Sequence, residues 1–170
     1  TDFSPIKELD LVSLDVSGTQ ARDLRFTAAM PIRRLWLSRT KVFNFGFLKT
    51  LPKLEDLNLS GTQIRTLSPL QAASLKRLCL RDTGLSDLSP LSGMPLQSLD
   101  IGSSMVSDLS PLAGLKLSDF RADGSRVKDI TALNGMPLKV LILDDTAVKD
   151  LWPVRGAPLD RLSIRSTDIS

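Results

Sequence analysis

Residues 87–101 read DLSPLSGMPLQSLDI, and nearly the same phrase returns at 108–122 (DLSPLAGLKLSDFRA), at 129–143 (DITALNGMPLKVLIL) and at 150–164 (DLWPVRGAPLDRLSI). The interval is 21 residues each time. Self-similarity at a fixed period of this length marks an array of stacked units, none of which can bury its own apolar residues alone.

Aligned on the leucine or isoleucine that opens each unit, the copies start at Leu11, Ile32, Leu54, Leu75, Leu96, Leu117, Leu138 and Leu159. Counting each start as position 1, positions 4 and 6 are also apolar, as in Leu57 and Leu59 or Leu141 and Leu143. Alternation over so few residues predicts a short half-buried strand. Position 9 is Thr or Ser in every copy, and position 11 is aliphatic. On the return path, Ser68-Pro69, Ser89-Pro90 and Ser110-Pro111 predict a serine-capped helical turn with proline at its first position. Gly93, Gly114, Gly135 and Gly156 then fall where a left-handed residue turns the chain toward the next strand. Trp152 stands where the serine is expected, which predicts local packing and no cap in that unit.

The fold predicted is α/β: a right-handed solenoid of about eight repeats in one domain over residues 1–170, with a parallel sheet on the concave side and helical turns on the convex side. Residues 1–10, with Asp2-Phe3-Ser4-Pro5-Ile6 echoing DLSPL, read as the tail of a preceding repeat. The chain is therefore expected to be part of a longer protein continuing on the N-terminal side. Uncapped leucine stacks at both ends predict self-association.

Composition narrows the chemistry. There are 22 Lys+Arg against 19 Asp+Glu, a net charge of +3, with the signs interspersed, so nucleic acid is not the expected partner. No apolar run approaches the ~18 residues of a membrane span, and insertion into a membrane by this segment is not expected. Cys79 is the only cysteine, and histidine and tyrosine are absent. A disulfide framework, a Cys/His zinc site and a histidine-activated nucleophile all lack their residues, so neither catalysis nor a cofactor is expected.

The pattern LxxLxLxxT, an aliphatic residue and then DLSPL resembles the bacterial leucine-rich repeat, specifically the 21–22-residue subclass of internalin-like proteins. That resemblance implies a solenoid that binds a protein or peptide, on a bacterial surface, secreted, or in the cytoplasm as part of a larger protein. It also leaves open a spacer or regulatory dock within a multidomain bacterial enzyme such as a kinase. Two departures stand out. The family places Asn at position 9, where its amide links successive turns. This chain has only hydroxyls, with one donor each, and a thinner ladder is expected. Residues 25–31 and 46–52 also lack Ser-Pro.

With positions 4 and 6 inside, positions 3, 5 and 7 face outward on the sheet. The candidate binding strip is Arg34, Trp36, Asp56, Asn58, Arg77 and Cys79, extended by Asp100 and Arg121. Arg34, Asp56 and Arg77 are expected side by side on adjacent strands, and Asp100 beside Arg121. An outward Trp36 is the expected anchor, and Val140 with Ile142 a second apolar spot. Asp123, Asp144 and Asp145 cluster near the strand exits but lack calcium-loop spacing. No convex aromatic is expected to match Trp36 near Lys128 and Lys149.

Overall fold

The computed structural model describes residues 3–71 and 73–169; Asp2 of the N-terminal echo lies outside them. Eight three-residue strands form one parallel sheet in chain order: β1 Ser13–Asp15, β2 Arg34–Trp36, β3 Asp56–Asn58, β4 Arg77–Cys79, β5 Ser98–Asp100, β6 Asp119–Arg121, β7 Val140–Ile142 and β8 Arg161–Ser163. Their register is the sequence alignment itself: Leu35 stands beside Leu57, Leu57 beside Leu78 and Leu78 beside Leu99. Every strand occupies positions 3 to 5 of its repeat. One slip would carry the leucine column out of the core, so the pattern admits a single register.

The return paths are single 3₁₀ turns, such as Ser68–Leu70, Ser89–Leu91 and Ser110–Leu112, stacked on their neighbours. The degenerate copies form them too, as the longer turns Arg25–Ala29 and Gly46–Thr50. Between sheet and turns the apolar columns close into one core, with Leu35, Leu57, Leu59, Leu70, Leu91 and Leu112 wholly buried. Phe120 at position 4 is answered by Ala122 at position 6 of the same repeat, conserving core volume.

The turns are capped differently from the expectation. No serine makes a side-chain cap; it is the first residue of the turn itself. The acceptor is the side chain two residues earlier: the Ser89 N–H donates to Asp87 Oδ1 at 2.8 Å, Ser110 to Asp108 at 2.8 Å and Ser68 to Thr66 Oγ1 at 3.2 Å. A carboxylate reaches the amide two residues on without leaving its own backbone path, whereas a serine inside the turn cannot turn back to cap it. Trp152 is therefore capped after all, its N–H donating to Asp150 Oδ1 at 2.7 Å. Asp23 and Asn44 serve the two degenerate copies.

The hydroxyl column is buried as expected, but it is not a ladder between turns. Thr62 Oγ1 donates to the Leu59 carbonyl at 2.7 Å, Thr83 to Leu80 at 2.6 Å and Thr146 to Leu143 at 2.6 Å, each within its own turn. A lone donor is spent locally. Successive turns are instead tied through position 8, which is left-handed in every repeat: Gly18, Gly61 and Gly124, but also Arg39, Asp82, Ser103, Asp145 and Ser166 at φ 52–55°. That conformation aims the N–H at the next repeat, as in Arg39 to the Ser60 carbonyl and Gly61 to the Arg81 carbonyl, both 2.8 Å. Side-chain-bearing residues there cost on the order of 1 kcal/mol each, offset by the bond and the continued stack.

The two ends differ. At β1 the core residues Leu14 and Val16 are buried, beside a tail in which Phe3 stacks on Phe26. At β8 the position-4 residue Leu162 is 43% exposed where its counterparts are buried.

Two outcomes follow from this geometry. Thr62→Val should lower stability by about 1 kcal/mol in urea titrations, because the Leu59 carbonyl loses its hydroxyl donor while shape is kept. Asp87→Ala should lower the melting temperature more than Ser89→Ala does, measured calorimetrically; the reverse order would restore serine as the cap.

Candidate functional site

Because the register is strict, the outward residues at positions 3, 5 and 7 form three rows across the sheet. Trp36, Asp56, Asn58, Arg77, Cys79, Asp100 and Arg121 line one shallow hollow of ≈ 250 Å³, together with Ser98 and Asp119. Arg34 lies outside it, exposed on β2. Seven of the eight residues read from the sequence thus share one surface.

Their electrostatics follow from which carboxylate each guanidinium can reach. Arg77 Nε donates to Asp56 Oδ2 at 2.9 Å, the expected cross-strand pair. Arg34, on the other side of Asp56, makes no ion pair among the described residues. Asp100 and Arg121 do not pair with each other. Arg121 turns back along its own strand to Asp119, at 3.0 and 3.1 Å. Asp100 accepts the Gly102 N–H at 2.9 Å and Arg81 Nε at 3.1 Å.

Arg81 is the residue that sequence reading missed. Its two terminal nitrogens donate to Asp123 at 2.8 and 2.6 Å, so one guanidinium from the fourth repeat spans the fifth and binds the sixth. Gly102 makes the span possible, because a Cβ there would stand 2.4 Å from Arg81 Nη2. The Arg81 bond holds the Asp123 carboxyl below its ordinary range, and Asp123 first, then Asp100, raises the Arg81 pKa. The available signal was a glycine at position 7 between a basic and an acidic neighbour in the same column. On the flank at position 2, Glu55 bridges Arg33 at 2.6 Å and Lys76 at 3.0 Å in the same manner.

Cys79 is half-buried, with its Sγ 3.0 Å from Ser60 Oγ, which in turn donates to Asn58 Oδ1 at 2.6 Å. Burial, with a smaller contribution from the Asp100 charge, lifts its thiol pKa despite the Ser60 contact. A thiol held protonated is a poor nucleophile. Among the described residues no group of His, Cys, Asp or Glu is placed to hold a metal ion. Asp123 is engaged by Arg81, and Asp144 accepts from the Ser163 hydroxyl at 2.6 Å and the Arg165 N–H at 2.7 Å.

Three expectations about apolar residues change. Trp36 is only partly exposed. Ile142 is 7% exposed, so with Val140 it offers no open apolar spot. The aromatics most open to solvent are Phe43 at 72% and Trp152 at 67%, both away from the sheet face. Trp152 does not pack into the structure; Arg155 stacks over its ring, 3.7 Å from the centroid.

The repeat, the strict parallel register and the single-turn return path define a leucine-rich-repeat solenoid of the short, internalin-like kind found in bacteria. No protein-family model and no curated protein matches the sequence. Among solved structures, the chain is similar to internalin C2 of Listeria monocytogenes (27% identity, TM-score 0.90, covering 94% of this chain and 73% of that one). It is similar also to a second Listeria internalin, inlF (27%, TM-score 0.89, covering 100% and 52%). A leucine-rich-repeat protein of Leptospira interrogans shares the fold (22%, TM-score 0.81, covering 97% and 46%). The chain thus spans about half to three quarters of these proteins.

The Arg81 bridge yields a thermodynamic signature. Removing it with Arg81→Met should cost about 1 kcal/mol, a figure already reduced for its partial exposure. Gly102→Ala should destabilise the parent but not the Arg81→Met background, a non-additivity read from a double-mutant cycle. Because the Asp123 pKa is depressed, the bridge contributes fully above the ordinary carboxylate value of 3.8 and is lost as the pH falls below it. The stability gap between parent and Arg81→Met should therefore hold steady from neutral pH to about pH 5 and close in stronger acid.

Proposed function

We propose that this chain is a non-catalytic binding module whose protein or peptide partner sits on the sheet face, around the hollow that joins β2 to β6. The observation that supports this most is the convergence of seven chemically varied side chains on one surface, while the residues behind them are uniform. Variation is confined to the positions the core does not constrain. The hollow combines an indole edge at Trp36 with Asn58 and the paired Asp56–Arg77, and Arg34, beside Asp56 on the adjacent strand but outside the hollow, makes no ion pair among the described residues. Such a surface suits a partner that covers the indole and brings a carboxylate to Arg34. Pairing keeps the remaining charges oriented in advance, so little side-chain order has to be gained on binding.

The test is affinity of a captured partner for surface variants that leave the core intact. Trp36→Ala and Arg77→Glu should each weaken binding by about tenfold or more. Lys116→Glu, exposed on the far side, should leave it unchanged. Loss of binding with Lys116→Glu and none with the two sheet-face changes would move the working surface elsewhere. The exposed β8 edge supports a separate reading, self-association of the chain. Leu162→Glu should then reduce any concentration-dependent mass increase in sedimentation without altering partner affinity.

A further inference from the structure

On the sheet face Arg77, Arg81, Arg121 and Arg165 each lie against a carboxylate. The opposite holds on the flank where the sixth and seventh repeats meet, and that contrast carries a second site. Lys128 and Lys149 occupy the same position of consecutive repeats, so their backbones sit about 4.8 Å apart. Both are exposed, and neither makes an ion pair among the described residues. The two carboxylates in the same groove are committed to their own turns, Asp129 to the Thr131 N–H and hydroxyl and Asp150 to the Trp152 N–H. Adjacent like charges repel one another, and the two neighbouring carboxylates, held by their own turns, form no ion pair that would tie the lysines down.

Trp152 closes the same groove, of ≈ 450 Å³. The corresponding residue in the other repeats is Arg25, Gly46, Ser68, Ser89, Ser110 or Thr131, none of them aromatic, and its N–H is met by a side chain two residues earlier whatever its own size. The indole is 67% exposed and contributes little to the core, and its stacked neighbour Arg155 adds a third cation without a carboxylate partner. A large aromatic at a position that no other repeat fills with one, beside three cations that make no ion pair among the described residues, has the composition of an interface anchor.

We infer that the groove between the sixth and seventh repeats, built on Trp152, Lys128, Lys149 and Arg155, docks an acidic protein segment that inserts an apolar side chain against the indole. This surface is separate from the sheet-face hollow. The partner's carboxylates neutralise the lysine pair, and its apolar residue covers the ring face opposite Arg155. Association is correspondingly salt-sensitive.

The experiment uses the whole chain and a fluorescein-labelled synthetic peptide of Glu and Asp around a central Leu pair. Controls are the same peptide with Ser for Leu and a version with Lys for the acids. Anisotropy reports affinity. Intrinsic fluorescence in a Trp36→Phe background reports Trp152 alone, since the chain has two tryptophans. Trp152→Ser restores the residue that other repeats carry, so the variant folds without new demands on the turn. The expected result is saturable binding that quenches Trp152. It should weaken about tenfold or more in Trp152→Ser and in Lys128→Glu/Lys149→Glu, but not in Trp36→Ala. Absence of saturable binding would overturn the inference, as would equal affinity for the Ser-substituted or Lys peptide. Loss of binding in Trp36→Ala would place the peptide on the sheet face instead. Quenching of Trp152 by a neutral oligosaccharide but not by the acidic peptide, or conversion of a dimer to a monomer by Trp152→Ser, would assign the groove to a different occupant.

Discussion

A strand of three residues flanked by leucines has nowhere to bury them except against another copy of itself, and the rest of this molecule follows from that constraint. Stacking buries the leucine columns only if each repeat retraces the backbone path of the one before. Retracing in turn requires a chain reversal at fixed places. The left-handed position 8 supplies one of them and simultaneously hands its N–H to the next repeat, as Gly61 does to the Arg81 carbonyl. Arg39, Asp82 and Asp145 accept a conformation that favours glycine because the alternative breaks the stack on both sides.

Repetition also decides how charges are arranged. Side chains at one position of successive repeats stand a strand spacing apart, close enough for opposite signs to bond and for like signs to repel. Asp56 with Arg77, and Arg33–Glu55–Lys76, use neighbouring repeats directly. Arg81 reaches farther, crossing a whole repeat to Asp123 because Gly102 leaves its path clear. The sheet face is thereby largely self-neutralised around the hollow, with Arg34 making no ion pair among the described residues. The flank near Trp152 has a different character, with an exposed indole and cations that make no ion pair among the described residues.

Those two characters suit different kinds of encounter. A preordered, internally paired surface gains affinity from shape and from the few groups left unpaired, whereas a surface of unpaired cations around an exposed ring depends on what arrives.

The sequence alone determined the fold class, the eight repeat boundaries, the register and the membership of the core, because burial acts on every copy alike and leaves the same mark eight times. Periodicity put Trp36, Asp56, Asn58, Arg77, Cys79, Asp100 and Arg121 on one face for the same reason. What periodicity could not give was the direction of individual long side chains. Whether Arg121 bonds Asp100 across strands or Asp119 along its own depends on rotamers and on what fills the space between, and the reach of Arg81 to a target two strands away was decided by the missing Cβ of Gly102 on the strand between. Caps and exposure were likewise tertiary matters: Asp87 rather than Ser89 reaches the turn amide, Ile142 is buried though it points outward, and Trp152 stays in solvent. Burial repeats with the backbone and is legible as a pattern, whereas a hydrogen bond or an exposed ring belongs to one place and requires the atoms around it.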